Sequence, residues 1–209
     1  MTAAVEHMRV AIIGPGRISD LHAIEYVNSP HAEIAAVCKP DTEGALARAR
    51  SWGIEPEKVY ADWQECLADD SIDAFEVLLP HHMHLEVALA AIETGKHLST
   101  QKPVGFTVAE CSRFVEAAQA AEQRGQVVRV FENFLFYPPV MRLVELVRAG
   151  EIGDVLSVRQ ISRSGNPDCG WDVPDRAAAW RFDIEQNGGG PLVFDDGLHK
   201  FSIFWALLG

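Results

Sequence analysis

Positive charge is scarce in this 209-residue chain, where 18 lysines and arginines face 30 aspartates and glutamates for a formal net charge of −12. No basic run offsets that balance. DNA, RNA and anionic membrane surfaces are disfavoured as partners, because the summed field repels them. Cysteine is almost as sparse. Cys38, Cys66, Cys111 and Cys169 form no CxxC pair or other metal-ligand spacing, which leaves reduced, mostly buried thiols as the reading. No apolar run approaches the roughly 18 residues that mark a membrane-spanning helix. The stretch Met1–His7 carries Glu6 and lacks a signal-peptide layout, so the cytoplasm is the default expectation. Internal repeats and low-complexity tracts are missing as well.

What is present is enough apolar material for a sizeable core: 48% hydrophobic residues against 23% charged. The length suggests one complete domain followed by a smaller or incomplete one. Through residue 131, short β-branched runs alternate with longer amphipathic segments, the pattern of a doubly wound α/β parallel sheet covered by crossover helices. Strands are predicted at Arg9–Ile13, Glu33–Cys38, Ala74–Leu79, His97–Thr100 and Gln126–Phe131, with a weak one near Val59–Tyr60. Helices are predicted near Ile18–Val27, Thr42–Trp52, Leu85–Thr94 and Val108–Arg124. The last begins with a capping box, Thr107 and Glu110, and ends at Gly125. A second domain is expected over 132–209, with a helix at Val140–Arg148, a strand at Val155–Ser164 and a long loop, Gly165–Gly190, anchored by Trp171 and Trp180.

The first strand runs into Gly14-Pro15-Gly16-Arg17-Ile18-Ser19 and then a helix, the context a dinucleotide fingerprint requires. Gly14 permits the tight turn, Gly16 lets the backbone approach a pyrophosphate, and Ser19 replaces the third glycine where helix and strand pack. The N–H groups at Arg17 and Ile18 would then face the phosphates. Where the second strand ends, the acid that accepts from an NAD ribose is replaced by Lys39, followed by Pro40 and Asp41. A cation there can pair with a 2′-phosphate, so NADP is favoured over NAD, although Asp41 keeps a ribose contact open.

Four later segments complete a pattern: Pro80-His81-His82-Met83-His84, Gly95-Lys96-His97, Gln101-Lys102-Pro103, and Gly188-Gly189-Gly190 leading to Asp195-Asp196-Gly197-Leu198-His199. With the phosphate turn and His22, their order resembles the glucose-fructose oxidoreductase and inositol dehydrogenase family, Gfo/Idh/MocA, over essentially the whole chain. The resemblance implies a Rossmann domain, a nicotinamide cofactor and a sugar or cyclic polyol substrate. It implies that Lys102, Asp195 and His199 are catalytic, and that Pro80, His82, His84, Gln101 and Lys102 lie along the cofactor. The family's Glu-Lys-Pro is Gln101-Lys102-Pro103 here, which keeps a hydrogen-bonding carbonyl and loses a charge. A cis Lys102–Pro103 peptide is a further implication. Members usually continue well beyond the His-bearing helix, so the second domain is expected to be truncated, with oligomerisation dependent on the sheet that would follow.

The chemistry is consistent with these residue types. Residues four apart share a helix face, so Asp195 could orient either the imidazole of His199 or the substrate, with Asp196 on another face. Alcohol oxidation needs a base and a stabiliser of the developing alkoxide. Histidine titrates near 6.5 and lysine near 10.4, which assigns the proton to His199 and the polarising role to Lys102, with exchanged roles open if burial lowers the lysine. His81, His82 and His84 flank a proline without an obvious fourth ligand, so no metal site is expected. Asn133, Trp180 and Arg181 are substrate-pocket candidates. Two other readings stay open: a non-catalytic NAD(P)-binding regulatory or sensing protein, and NAD-dependent glycoside cleavage.

Overall fold

A computed structural model describes residues 7–161 and 175–209. Two compact units meet in sequence between Val130 and Phe131. The first unit begins with strands β1 (Met8–Ile13) and β2 (Ala32–Cys38), separated by helix α1 (Ser19–Val27). Their apolar runs Val10–Ile13 and Ile34–Cys38 are wholly buried, as expected of strands covered on both faces. Helix α2 (Thr42–Ser51) follows, capped by the Asp41 carboxylate, which accepts from Gly44 N–H at 2.9 Å. Then come β3 (Lys58–Tyr60), α3 (Trp63–Leu67), β4 (Ala74–Val77), α4 (His81–Glu93), β5 (His97–Gln101), α5 (Val108–Gln123) and β6 (Val128–Phe131).

The sheet runs β3-β2-β1-β4-β5-β6, with the β1 pairings to β2 and β4, and those of β2 to β3 and β4 to β5, all parallel. The Rossmann architecture expected from the alternation is therefore present. Strand order reverses between β1 and β4, and the crevice beyond the carboxyl ends at such a switch point is where ligands bind in open α/β sheets. One apolar layer joins Phe75, Val77, Val87, Ala91, Leu98 and Phe114; the other joins Ile12, Ala23, Ile34, Val37, Ala45 and Ala49. Both layers hold the turns after β1, β4 and β5 in fixed positions. The capping box at Thr107 and Glu110 forms as predicted.

Four expectations are corrected. Helix α3 went unread because five residues are too few to display a helical period; its cap is Asp62, which accepts from Gln64 N–H at 2.8 Å. Helix α4 starts at His81 rather than Leu85, since His81, His84, Val87, Ala88 and Ala91 together form its buried face. In the second unit, 155–161 forms no strand and 162–164 lies outside the described residues. Strand propensity is realised only beside a partner, and among the described residues no strand follows β6. The segment read as a loop over Gly165–Gly190 contains helices α7 (Asp175–Phe182) and α8 (Ile184–Asn187), while 165–174, with Trp171, lies outside the described residues.

The second unit also contains a 3-10 turn, Asn133–Phe136, helix α6 (Pro138–Arg148), a wide π-helical segment, Pro191–Gly197, and helix α9 (Leu198–Leu208). No helix among the described residues is long and apolar enough to cross a membrane. Cys38 and Cys66 are buried free thiols, Cys111 is partly buried, and Cys169 lies outside the described residues.

Candidate functional site

The glycine turn after β1 is shaped by its neighbours. Gly14 has φ +87°, and a Cβ there would lie 2.7 Å from the Leu78 carbonyl oxygen at the end of β4. Its N–H donates to the Cys38 carbonyl at 2.9 Å, which ties the turn to the end of β2. Gly16 differs: a Cβ would meet only the Gly14 carbonyl oxygen, at 3.8 Å, so this side of the turn is open. Ser19 is fully buried and its hydroxyl donates to the Gly16 carbonyl, holding the turn from beneath. Ile18 packs its side chain against an apolar layer, which leaves only its backbone for a ligand. No side chain caps the first turn of α1. Lys39 follows β2 with its side chain 41% exposed, its ammonium 3.4 Å from Asp41. Asp41 is engaged as the α2 cap as well as by Lys39.

At the other end of the crevice edge, β5 terminates in Gln101 and delivers Lys102, which is only 8% exposed and precedes a cis peptide to Pro103, as the family pattern implied. Pro80, with φ −58°, starts α4. His84 lies beneath these turns at 1% exposure, with Nδ1 2.6 Å from the Pro103 carbonyl and Nε2 2.6 Å from the Leu79 carbonyl. It therefore lies between the turns after β4 and β5 and braces them. His82 is exposed and opens onto a groove of about 440 Å³ between α4 and α5, lined also by Phe106 and Arg113.

Burial holds the His84 imidazole below its ordinary range, against the pull of the two carbonyls, and Lys102 and His82 add repulsion. The unfolded chain then binds a proton near pH 6.5 that the folded protein resists. Stability contributed by the neutral ring is fully present above that pH and is lost as pH falls from there toward the lower folded value. The slope reaches at most about 1.4 kcal/mol per pH unit for one proton. Urea melts of the wild type between pH 7.5 and about 5 should show a larger decline than those of His84→Gln, which has no group to titrate. Equal declines would remove His84 from the acid response.

The second unit carries its own polar clusters. Glu132 follows β6, and its two carboxylate oxygens each lie 2.8 Å from Nδ1 of His199 on α9. Phe134 stacks on the same imidazole, with centroids 4.3 Å apart and planes at 22°. Ser202 donates to Glu132 at 3.4 Å. A carboxylate can only accept, so the hydrogen facing it is carried by Nδ1, and Nε2 is the nitrogen turned away from Glu132. Asp195 sits in the wide segment before α9, so the expected placement of Asp195 and His199 on one α-helical face is corrected: the segment is π-wound. Asp195 instead accepts from Arg181 Nε at 2.8 Å, and the Arg181 guanidinium lies 4.5 Å from the centroid of the Trp180 ring. Trp180, Arg181 and Asp195 are thus brought together, as are His199 and Glu132. Asn133 is exposed in the turn beside Glu132. Asp196 pairs with Lys200 on the surface at 3.0 Å.

The pattern of the oxidoreductase family with an NAD-binding Rossmann fold, Gfo/Idh/MocA, matches residues 8–130. The chain belongs to this family. Among curated relatives, D-glucoside 3-dehydrogenase of Escherichia coli K12 is 32% identical over 97% of this chain and 54% of its own length. The D-xylose 1-dehydrogenase (NADP(+)) 2 of Haloferax volcanii is 30% identical over 97% of this chain and 58% of its own. A solved levoglucosan dehydrogenase, in complex with NADH and levoglucosan, superposes with a TM-score of 0.80 at 26% identity, covering 97% of this chain and 54% of that one. The chain spans about half the length of the curated relatives it matches.

The residues of this Gfo/Idh/MocA chain fit a nicotinamide dinucleotide. Gly16 leaves open the space a Cβ would fill, and an uncapped helix start lies next to it. Residues that could hold the cofactor are the backbone of Gly14, Gly16, Arg17 and Ile18, with Lys39 at the end of β2 and Pro80, Gln101 and Lys102 at the turns after β4 and β5. Sequence reasoning missed Glu132. A charged residue at the carboxyl end of a sheet strand, immediately before a turn, was the available signal.

Proposed function

We propose that this chain carries the cofactor-binding domain and the His199-bearing helix of an NAD(P)-dependent oxidoreductase acting on a hydroxyl or ketone of a sugar, cyclic polyol or related small molecule. The observation that carries the reading is Lys102, buried to 8% exposure at the carboxyl edge of the same sheet that presents the open Gly16 turn. Lysine is seldom this deeply buried, which marks the position as a candidate for a functional role.

When bound, the nicotinamide supplies the acceptor for a hydride leaving the alcohol carbon. Lys102 places its ammonium to stabilise the oxygen as negative charge develops on it. His199 takes the hydroxyl proton at Nε2, and Glu132 stabilises the resulting imidazolium through Nδ1. The substrate oxygen is left as a carbonyl; in reduction the proton returns from Nε2. Arg181, stacked on Trp180 and oriented by Asp195, offers a cation and an aromatic face suited to a polyhydroxylated ring, and Asn133 adds an amide.

Lys39 favours NADP. The side chain is substantially exposed, so solvent screening places the expected preference near tenfold rather than higher. Calorimetric titration with NADP and NAD, followed by a panel of polyols monitored through the absorbance of reduced nicotinamide, tests the proposal. Lys39→Ala should remove the NADP preference. Tight cofactor binding with no turnover on any polyol would favour the regulatory reading, and failure to bind either dinucleotide would overturn both.

A further inference from the structure

Strand β4 buries a carboxylate where the chain could have placed an aliphatic side chain. Phe75 and Val77 face one apolar layer, and the intervening Glu76 faces the other, the layer covered by α1. Glu76 is 0% exposed. Its Oε1 pairs with Nδ1 of His22 on α1, and the phenol of Tyr26, one turn further along α1, lies against the same carboxylate. The other face of the imidazole meets the end of β5: His22 Nε2 lies 3.1 Å from Nε2 of Gln101. A buried carboxylate–imidazole contact of this kind adds little stability relative to apolar packing, so its retention calls for another explanation.

The geometry points to Glu76 and His22 as positioning residues that set the orientation of the Gln101 amide beside Lys102. The inference rests on the dinucleotide-binding reading above. His22 Nδ1–H donates to the Glu76 carboxylate, which fixes the neutral tautomer with its lone pair at Nε2. Only the NH2 group of Gln101 can pair with that lone pair, because the amide oxygen is an acceptor. The amide oxygen is thereby turned away from His22 and held as an acceptor for a hydroxyl of the bound ligand. A carboxylate placed in the sheet interior thus fixes which end of a neutral amide is presented at the carboxyl edge. Glutamine has no preference between its two ends by itself; the relay supplies one.

Two measurements test this on the whole 209-residue chain. Nitrogen-15 NMR of cofactor-free protein should show His22 as the Nδ1–H tautomer; the Nε2–H tautomer, a mixture of the two, or an imidazolium at pH 7.5 would overturn the relay. Calorimetry should then show that Glu76→Gln, which preserves size, and Gln101→Ala each weaken NADP(H) binding by about three- to tenfold, the worth of one neutral hydrogen bond. In the double variant the loss should match that of Gln101→Ala alone, because both changes act through one amide. Matching melting temperatures show that Glu76→Gln is folded. Wild-type affinity in Glu76→Gln, or fully additive losses, would overturn the proposal. If the wild type itself binds neither NADP(H) nor NAD(H), the dinucleotide reading fails, and the tautomer alone decides the relay.

Discussion

Replacing Lys102 with methionine is expected to lower polyol turnover about a thousandfold, with a much smaller loss of cofactor affinity, about tenfold or less. Methionine keeps an unbranched apolar stem of similar reach and removes only the ammonium, so the packing around a residue at 8% exposure is preserved. What disappears is the stabilisation of charge developing on the substrate oxygen, an effect worth about 10²–10³ in rate when one preorganised donor is lost. The neighbouring His84 should lose a repulsive partner and become easier to protonate. Steady-state kinetics beside cofactor titration separate these effects. Turnover within tenfold of wild type would remove Lys102 from the chemistry, and a parallel collapse of cofactor binding would make it a binding residue.

The second large effect is expected at the glycine turn, where two substitutions should fail in different ways. Gly14→Val puts a β-branched side chain at φ +87°, with its Cβ 2.7 Å from the Leu78 carbonyl and 2.9 Å from Leu79 Cδ2. The left-handed backbone costs about 1–2 kcal/mol, and forcing the strand ends apart adds about 1–3 kcal/mol. Stability should fall by about 3 kcal/mol, and dinucleotide binding should be lost. Gly16→Val meets no comparable obstacle in the protein, since the only neighbour of a Cβ there is 3.8 Å away. Its stability should stay within about 0.5 kcal/mol of wild type while binding falls by at least tenfold, because the added atoms occupy the ligand's approach. Denaturant melts and titrations of the two variants are the check. A destabilised Gly16→Val, or one that still binds normally, would mean that the open side of the turn is not the phosphate cradle.

Much of the first unit could be read from the chain because its information is local. A capping box spans four consecutive positions, a buried parallel strand is a short apolar run, and a glycine turn between strand and helix is contiguous. The start of α4 was harder, since His81 and His84 look polar and only their burial shows that they belong to the inner face. The second unit resisted reading for a related reason. Residues 155–161 have strand-like composition, but a strand exists only where another strand offers its backbone groups, and composition cannot report a partner.

The candidate site divides along the same line. The sequence by itself determined the Rossmann domain, the phosphate turn, and the identities of Lys102, Asp195 and His199 as residues to examine, since these follow from short motifs and from the family's spacing. Only the tertiary structure decided their partners. His199 is oriented by Glu132, 67 residues away, rather than by Asp195; His22 joins Glu76 across 54 residues; and His84 closes on Pro103 and Leu79. The physical reason is that a side chain's role depends on what it donates to, accepts from and is buried against. Those neighbours are brought together by sheet order and helix packing, which no local stretch of sequence encodes.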